Sequence, residues 1–331
     1  MQRIAILGDG GWGTALGLLL VKQGQAVRLW GPFPEYIERL RRERENTAFL
    51  PGVPLPQELF LTADRDEAVA EAEVVILAVP SKFYRNVLES FAGRLRPGCM
   101  LLSVSKGLDG ATRRRLSQVA GEVLGQNPVA VLSGPSHAEE VARGVPTAVV
   151  LACEDQERAD ALQKIMTAAQ FRVYTSEDVV GVELGGALKN VMALAAGISD
   201  GLGLGDNTRA ALITRGLAEM TRLGVALGAR SETFAGLSGL GDLVVTCTSH
   251  WSRNRAVGER LGRGETLSEI LGSMRQVAEG VTTALVAQEV AREYGVRSPI
   301  TDEVHAVLYE NRQPSLAVEN LLARATRPER D

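Results

Sequence analysis

The glycine-rich sequence GDGGWG at residues 8–13 constrains the fold more than any other feature, because it directly follows the apolar run Arg3–Leu7. That run is predicted to be a buried strand, residues 14–23 a helix and residues 26–30 a second strand. A strand, a helix and a second strand in this order form a βαβ unit with parallel strands. The chain is therefore predicted to begin with an α/β sheet.

The glycines of this loop match the spacing G-x-G-x-x-G at Gly8, Gly10 and Gly13. The first glycine permits a tight turn, the second lets the backbone approach a pyrophosphate, and the third allows the helix to pack closely on the strand. The N–H groups at the start of the helix supply donors for the anion. We therefore expect a nucleotide-binding loop. A glycine-rich turn that holds no ligand is the alternative.

The end of the second strand normally identifies the ribose of a dinucleotide, because an Asp or Glu there favours NAD and a nearby Arg favours NADP. In this chain the strand runs into WGPFP at residues 30–34, which contains neither. Glu35 and Arg39 lie further along and are explained equally well as surface residues. The choice between NAD and NADP therefore stays open at the level of sequence.

Apolar strands continue to alternate with helical patterns through the first half of the chain, at residues 74–79, 100–104, 129–132 and 148–151. After about Thr175 the alternation ends and helical patterns follow, as at residues 210–227, 267–271 and 283–294. Alternating strands and helices are typical of a mostly parallel sheet covered on both faces. We predict an α/β N-terminal domain with a doubly wound sheet, residues 1–178, and an all-α C-terminal domain, residues 179–331.

Composition excludes several classes of protein. A net charge of −4, with no dominant basic run, argues against nucleic-acid binding. The three cysteines are widely separated, and neither they nor the three histidines show metal-ligand spacing, so we expect no metal, no disulfide framework and a cytoplasmic location. Outside the glycine-interrupted residues 4–21 there is no apolar stretch long enough for a membrane span, and none is expected.

Two loops that follow predicted strands carry groups suited to an anion. Lys106 comes just after one strand, and SGPSHAE, with Gly134, Ser136 and Glu139, follows the next. Because ligands bind outside the carboxyl ends of the strands in such sheets, we expect Lys106, Gly134 and Ser136 to contact a ligand. A surface lysine, and an S-x-x-E capping box formed by Ser136 and Glu139, are the simpler alternatives.

An unusual lysine lies in the apolar stretch at residues 181–197, which includes Lys189 and Asn190. A buried ammonium is costly unless it is paired or neutralised. If the stretch is helical, the lysine shares a face with Gly185 and Gly186. That face could leave room for a ligand, or its glycines could pack tightly on another helix. Spacing alone does not decide between the two.

Partners for this lysine are available further along the chain. Asp242 and Thr246 are four residues apart, and so share a face if the segment is helical. Arg253 and Asn254 stand at a predicted helix start, with Ser252 as the cap. An Arg side chain beside free N–H groups suits a phosphate. Together these stretches supply an acid, a hydroxyl and phosphate ligands.

With these motifs in view, the chain resembles the bacterial NAD(P)-dependent glycerol-3-phosphate dehydrogenases over nearly its whole length, through GDGGWGTAL, SKGL, LSGPSHAEEVA, GALKN, GLSGLGDL and SRNR. The resemblance implies a Rossmann domain, a helical substrate domain and a cleft between them. It also implies reversible hydride transfer between NADH or NADPH and dihydroxyacetone phosphate, which gives sn-glycerol 3-phosphate for glycerophospholipid synthesis. We expect a homodimer on the same ground.

The resemblance also implies residue roles, with Lys189 as proton donor and acceptor. The positions that resemble substrate contacts are Lys106, Gly134, Ser136, Asn190, Asp242, Thr246, Arg253 and Asn254. The positions expected at the cofactor are Gly8, Gly10, Gly11, Trp12, Gly13, Lys106, Ala138, Arg253, Val277 and Glu279. The chain departs from the family pattern at Asp9, where Ala is usual, at Gly11, often Ser, and at Pro32, which replaces an Arg or His.

Two other functions fit parts of the same sequence. One is a different two-domain dehydrogenase that acts on a hydroxy acid or a sugar acid, which a phosphate-independent substrate profile would favour. The other is a non-catalytic sensor of nicotinamide redox state, which would not require Lys189 and Asp242 together.

Overall fold

The computed structural model describes residues 1–125, 127–274, 276–326 and 328–329. An eight-stranded sheet forms its first half, in the order β10-β9-β8-β7-β6-β1-β2-β5, and β3 and β4 form a separate hairpin. The strands are β1 (Arg3–Leu7), β2 (Ala26–Trp30), β3 (Glu45–Asn46), β4 (Leu50–Pro54), β5 (Phe60–Thr62), β6 (Val74–Leu77), β7 (Met100–Ser103), β8 (Val129–Ser133), β9 (Thr147–Ala152) and β10 (Phe171–Ser176).

The central strands of the sheet are parallel and end level with one another. Leu7 pairs in register with Trp30 of β2 and with Leu77 of β6, and Leu77 pairs with Ser103 of β7. The loops after these strands therefore open at one edge of the sheet. Only β9 runs antiparallel to its neighbour β8. The predicted mostly parallel sheet is confirmed.

Both faces of the sheet are buried, as its apolar strands predict. Along β1, Ile4 and Ile6 join one hydrophobic cluster, whereas Ala5 and Leu7 join another on the opposite face. Side chains alternate between the faces of a strand, so helices must cover both sides. These helices are α1 (Gly11–Lys22), α2 (Pro34–Glu43), α3 (Arg65–Val69), α4 (Ser81–Glu89), α5 (Leu116–Leu124), α6 (Ala138–Ala142) and α7 (Gln156–Met166).

The second half of the described chain is helical, as predicted. Its helices are α8 (Val179–Gly201), α9 (Gly205–Ala226), α10 (Asp242–Thr248), α11 (Arg253–Gly262), α12 (Leu267–Ser273), α13 (Glu279–Glu293), α14 (Pro299–Tyr309) and α15 (Pro314–Leu322). A 3₁₀ turn at Ser231–Ala235 and a π-helical turn at Leu237–Gly241 precede α10. Helices α9, α10, α11, α13 and α14 pack around α8.

Helix α8 forms the centre of this second half. It is long and apolar enough to cross a membrane, but 94% of its apolar window is buried inside the protein. Its backbone lies against that of α11, where a Cβ added to Gly197 would be 2.0 Å from the carbonyl oxygen of Arg255. The apolar composition of α8 is therefore accounted for by its place in the core.

Two short edge strands were not predicted. β5 has three residues, too few to give a pattern, and β10 exposes Arg172 and Tyr174 on one face while burying Phe171 and Val173. A half-exposed edge strand lacks the continuous apolar run by which buried strands are recognised. β10 ends at Ser176, close to the predicted domain boundary at residue 178, and the division itself stays a prediction.

Candidate active site

The glycine loop lies between β1 and α1 at the open edge of the sheet. Gly8 has a φ of +122°, and an added Cβ would lie 2.4 Å from the Ala78 carbonyl oxygen. An added Cβ on Gly13 would lie 2.0 Å from the Gly8 carbonyl oxygen, whereas Gly10 has nothing within 4 Å. The loop therefore packs tightly at its first and third glycines and leaves space at the second, beside the start of α1. This is the arrangement that a pyrophosphate needs.

Residues from other parts of the chain pack against the start of α1. Gly11 packs so closely that an added Cβ would lie 2.6 Å from the Phe49 carbonyl oxygen and 3.6 Å from the Cβ of Ala138. The Trp12 ring lies 6.5 Å from that of Phe171, and the buried indole Nε1 has no hydrogen-bond partner within the described residues. Gly11, Trp12 and Ala138 are thus adjacent to the loop where a cofactor was expected, and Trp12 has an unused donor.

Asn46 fixes the conformation of the loop, a role that the motifs did not reveal. Its buried side-chain Nδ2 donates to the carbonyl oxygen of Asp9 at 2.8 Å and to Thr14 Oγ1 at 2.7 Å. Its Oδ1 accepts hydrogen bonds from Phe49 N at 3.2 Å and from the Tyr36 hydroxyl at 2.5 Å. A single amide therefore ties the glycine loop to the β3–β4 hairpin. The available sequence signal was the stretch NTAFLPG at residues 46–52.

Lys189 lies at the centre of a buried polar cluster. Its Nζ donates to Asp242 Oδ1 at 2.5 Å and to Thr246 Oγ1 at 2.7 Å. The second carboxylate oxygen of Asp242 accepts from Lys106 Nζ at 2.8 Å. Lys189 is 6% exposed and Asp242 1% exposed, so both charges are withdrawn from water. Asp242 and Thr246 share a face of α10, as their spacing predicted, and that face meets the lysine.

The pKa values in this cluster follow from burial and from its unequal charges. Burial, opposed by Asp242 but reinforced by Lys106, lowers the pKa of Lys189 to about 8. Burial alone would raise the pKa of Asp242, but the ammonium groups of Lys106 and Lys189 outweigh burial and hold that pKa below its usual value. Asp242 is therefore ionised at neutral pH, and Lys189 can exist in either protonation state near neutrality.

Ser136 does not cap the next helix, so the expected capping box is wrong. The N-cap of α6 is His137, with no side-chain cap hydrogen bond. The Ser136 hydroxyl instead donates to the Gly134 carbonyl oxygen at 2.9 Å and accepts from Lys106 Nζ at 3.1 Å. Lys106 Nζ also donates to that carbonyl at 2.8 Å. Gly134 and Ser136 therefore hold the lysine beside Asp242.

The glycines beside Lys189 contact protein and do not leave an open face. An added Cβ on Gly185 would lie 2.6 Å from the Ser238 carbonyl oxygen, and one on Gly186 would lie 2.3 Å from Ser133 Oγ. Tight packing through glycine, one of the two alternatives, is therefore correct at these positions. The lysine nevertheless does not extend to solvent, because its partners are buried with it.

A chain of amides connects the two halves of the structure. Asn190 Nδ2 donates to the Lys106 carbonyl oxygen at 3.2 Å, and Asn254 Nδ2 donates to Asn190 Oδ1 at 2.9 Å. Asn254 Oδ1 then accepts from Gly280 N at 2.8 Å. The Asn254 side chain is thus held by protein partners on both of its amide atoms, with one Nδ2 donor and its backbone N–H remaining for a ligand.

Arg253 lies where a phosphate site was expected. Helix α11 begins at this residue, and its predicted cap is confirmed by the Ser252 hydroxyl, which accepts from Arg255 N at 3.2 Å. The Arg253 side chain makes no hydrogen bond or ion pair to another described residue, but burial lowers the pKa of its guanidinium, opposed by the charges of Glu279 and Glu139. A free guanidinium at a helix N-terminus is a suitable arrangement for a dianion.

Glu279 at the start of α13 binds the loop after β6. Its Oε1 accepts from Ser81 N at 3.0 Å, and its Oε2 accepts from the Ser81 hydroxyl. Burial raises the pKa of this carboxyl. Val277 lies two residues before it and is partly buried. Ser81, at the start of α4, therefore secures a residue expected at the cofactor.

His137 is a further polar group near the cluster that was missed. Burial first, then the charges of Lys189 and Lys106, lower its pKa to about 4. Its buried Nε2 has no hydrogen-bond partner in the part of the chain that the structure describes. A neutral imidazole thus borders the two lysines. Its place directly after Ser136 was the available signal.

The described residues contain no group of three or more His, Cys, Asp and Glu side chains placed to hold a metal ion. Cys99, Cys153 and Cys247 are buried free thiols.

The family models and the relatives that match this chain all point to one family. Residues 3–159 match the model of the NAD-dependent glycerol-3-phosphate dehydrogenase N-terminus, and residues 178–319 match that of the C-terminus. A glycerol-3-phosphate dehydrogenase [NAD(P)+] of Geobacter metallireducens is 54% identical over 332 residues, covering 99% of each chain. That of Moorella thermoacetica is 51% identical, covering 98% of this chain and 96% of the relative.

The fold agrees with the same family. The crystal structure of glycerol-3-phosphate dehydrogenase from Coxiella burnetii superposes with a TM-score of 0.94 at 41% identity, covering 98% of this chain and 99% of that one. The N-terminal α/β sheet and the helical second half are therefore those of a full-length relative. This chain belongs to the family of NAD(P)-dependent glycerol-3-phosphate dehydrogenases, which are oxidoreductases.

Proposed function

We propose that this protein catalyses the reversible reduction of dihydroxyacetone phosphate to sn-glycerol 3-phosphate for glycerophospholipid synthesis, with Lys189 as proton donor and acceptor. The observation that carries the proposal is the buried Lys189 ammonium, held by Asp242 and Thr246 next to a second cation, Lys106. A structural lysine would not need a pKa close to neutrality, whereas a proton-transfer group does.

The dinucleotide is assigned to the glycine loop and the start of α1. Gly8, Gly10 and Gly13 shape the turn, and Gly11, Trp12 and Ala138 line the wall next to it. Glu279 lies at the start of α13 near Arg253, and Val277 comes two residues before it. When bound, NADH or NADPH supplies the hydride to the ketone carbon.

Lys189 supplies the proton. An ammonium has three donors, of which two are used by Asp242 and Thr246, so one remains for a substrate oxygen. In the direction of reduction, that donor stabilises the negative charge that develops on the carbonyl oxygen and then transfers the proton. In the direction of oxidation, the neutral amine accepts the proton from the hydroxyl group.

Asp242 positions the two lysines. Its oxygens each accept from one ammonium, at 2.5 Å from Lys189 and 2.8 Å from Lys106. Because the carboxylate is held between them, both Nζ atoms are fixed at one place with little freedom. Fixed donors do not need to reorganise as charge develops, which is the basis of electrostatic catalysis.

The substrate phosphate is assigned to Arg253 and the N-terminus of α11. The phosphate carries roughly −1.5 to −2 charges at neutral pH, which a guanidinium and free helix N–H groups would balance. Asn254, whose side chain is positioned by Asn190 and Gly280, contributes its backbone N–H and the remaining Nδ2 donor. An anchored phosphate holds the ketone in place relative to Lys189.

The direct test is an assay of the purified protein with dihydroxyacetone phosphate, in which oxidation of NADH and NADPH is followed side by side. We expect turnover with at least one of them, and little with unphosphorylated dihydroxyacetone. Equal rates with both ketones would favour a dehydrogenase for an unphosphorylated substrate, and dinucleotide binding without turnover would favour a redox sensor.

We also infer a homodimer, a cytoplasmic location, and domains at residues 1–178 and 179–331. The resemblance to the family supports the dimer, and three buried free thiols suit a reducing compartment. The end of the sheet at Ser176 and the start of α8 at Val179 support the domain boundary. Sedimentation equilibrium would test the dimer, which has twice the 35.4 kDa mass of one chain.

A further inference from the structure

We propose that Asp9 recognises the adenosine ribose of the dinucleotide and disfavours a 2′-phosphate, so that the protein prefers NAD to NADP. The inference rests on the proposed function, because it concerns the same cofactor site. It assigns a specificity-determining role to a residue between the first two glycines of the loop.

The first observation is where the Asp9 side chain lies. It is directed at Gly31, the residue that immediately follows β2. A Cβ built on Gly31 would lie 2.1 Å from Asp9 Oδ2 and 2.5 Å from its Cγ. The carboxylate of Asp9 therefore fills the space that a side chain at position 31 would occupy.

That space has a known use in sheets of this kind. An acidic side chain near the end of the second strand accepts hydrogen bonds from the ribose hydroxyls of NAD. Here the chain has Gly31 and Pro32 after the strand, and so cannot supply the acid from there. The glycine loop supplies a carboxylate to the same place from the neighbouring strand.

The second observation is that this carboxylate is buried and unsatisfied. Asp9 is 9% exposed, and its Oδ2 has no hydrogen-bond partner among the described residues. Burying an unpaired carboxylate is costly, so such a group is expected to have a partner in the working protein. Two neighbouring ribose hydroxyls would provide donors.

The position of Asp9 is also fixed. Its carbonyl oxygen accepts from Asn46 Nδ2 at 2.8 Å, and Gly8 N before it donates to the Trp30 carbonyl oxygen at 2.9 Å. The carboxylate therefore cannot easily withdraw from an incoming 2′-phosphate. Burial raises its pKa to about 6, which still leaves it mostly ionised at pH 7 to 8. A phosphate with roughly −1.5 to −2 charges would be repelled.

Arg39 is the residue that could reverse this preference. Its guanidinium carbon lies 4.6 Å from the centroid of the Tyr36 ring, and its Nε lies 4.0 Å from Glu43 Oε2. An Arg near the ribose favours a 2′-phosphate. We assign the preference to Asp9 because its carboxylate, unlike this half-exposed guanidinium, lies at the end of β2 itself.

The test measures binding, by isothermal titration calorimetry of the purified full chain with NADH and with NADPH at pH 8. We compare wild type with Asp9→Asn, which removes the charge at nearly constant size, and with Arg39→Ala. Asp66→Asn is the matched control, since this carboxylate is in the same half of the structure with 73% of its side chain exposed.

We expect wild type and Asp66→Asn to bind NADH at least about tenfold more tightly than NADPH, the size of one hydrogen bond to a charged group. Asp9→Asn should lower that ratio by about tenfold, partly through tighter NADPH binding. Adenosine 2′,5′-bisphosphate and AMP, which lack the nicotinamide, should show the same change.

Two results that use the variants would overturn the inference alone. One is tight dinucleotide binding in which Asp9→Asn leaves the ratio of NADH affinity to NADPH affinity unchanged. The other is a wild-type preference for NADPH that Arg39→Ala abolishes. The ratio of the wild-type affinities for NADH and NADPH can be measured without any variant. Equal binding of the two by wild type would therefore overturn the inference even if Asp9→Asn failed to fold. Failure of wild type to bind either dinucleotide would instead contradict the proposed function together with the inference.

Discussion

Lys189 Nζ lies 2.5 Å from Asp242 Oδ1, and the two residues come from different helices, α8 and α10. The other oxygen of the same carboxylate accepts from Lys106, in the loop after β7. One carboxylate thus joins groups from the sheet and from two helices. The predictions below concern this cluster and the two ligand sites assigned next to it.

Asp242→Asn should lower the stability of the protein and shift the pH profile of its turnover. It leaves the buried Lys189 ammonium and the partly buried Lys106 ammonium without their counter-ion, which costs about 3–5 kcal/mol in the free energy of unfolding. Without the carboxylate, the pKa of Lys189 should fall further, so the pH profile of turnover should move to lower pH. Urea unfolding and pH–rate profiles measure the two effects.

Asp206→Asn is the control for this variant, because its side chain in α9 is 93% exposed. It should change neither measurement. An Asp242→Asn protein with the wild-type pH profile would show that the carboxylate does not set the protonation of Lys189.

The two directions of the reaction should respond oppositely to pH. The pKa of Lys189 is about 8, and the base required for oxidation is the neutral amine. Turnover with glycerol 3-phosphate should therefore rise as pH rises through about 8, and turnover with dihydroxyacetone phosphate should fall over the same range.

Other groups that face Lys189 should not obscure this profile. The pKa of His137 is about 4 and that of Cys247 about 12, Asp242 stays ionised, and Thr246 does not titrate. Lys106 is the remaining charge. Initial rates in both directions from about pH 6 to pH 10 provide the check. Parallel profiles in the two directions would argue against a single group that must change its protonation state.

Arg253→Ala should mainly weaken binding of the phosphorylated substrate. The guanidinium has no other ion-pair partner within the described residues, so its loss should raise the KM for dihydroxyacetone phosphate by at least about tenfold. Arg253→Lys keeps the charge but not the two-pronged geometry, and should lie between wild type and Arg253→Ala. Steady-state kinetics with dihydroxyacetone as the comparison substrate would show whether the loss depends on the phosphate.

Asn46→Ala should loosen the glycine loop. It removes the donor to the Asp9 carbonyl oxygen and to Thr14 Oγ1, and leaves buried groups unsatisfied. We expect a loss of about 1–3 kcal/mol in the free energy of unfolding and weaker NADH binding. Asn207→Ala, at an exposed position in α9, is the control and should behave as wild type. Unchanged NADH affinity in Asn46→Ala would mean that the loop holds its shape without this amide.

The glycine loop and the sheet core could be predicted because they depend on local pattern. Ile4 and Ile6 alternate with Ala5 and Leu7 in a run that can only be buried on both faces, and Gly8 must adopt a positive φ. The edge strand β10 was not predicted because its exposed residues, Arg172 and Tyr174, interrupt the apolar run.

The residues that meet in the buried polar cluster could be named from the sequence, but their contacts could not. Lys106, Lys189 and Asp242 are far apart in sequence, so no spacing rule gives the 2.5 Å and 2.8 Å distances that join them. At Ser136 the local sequence pattern gave a wrong prediction. The local S-x-x-E pattern predicted a helix cap, but a tertiary partner, Lys106, engages the hydroxyl instead.

The most direct test of the central claim is the turnover of Lys189→Met, a substitution that keeps an unbranched stem of the same length and removes the amine. Lys164→Met, at an exposed position in α7, is the control. We expect Lys189→Met to bind NADH nearly as wild type does, by calorimetry, and to lose at least about 10²-fold in kcat with dihydroxyacetone phosphate. A folded Lys189→Met protein that keeps the wild-type kcat would contradict the assignment of Lys189 as the proton donor.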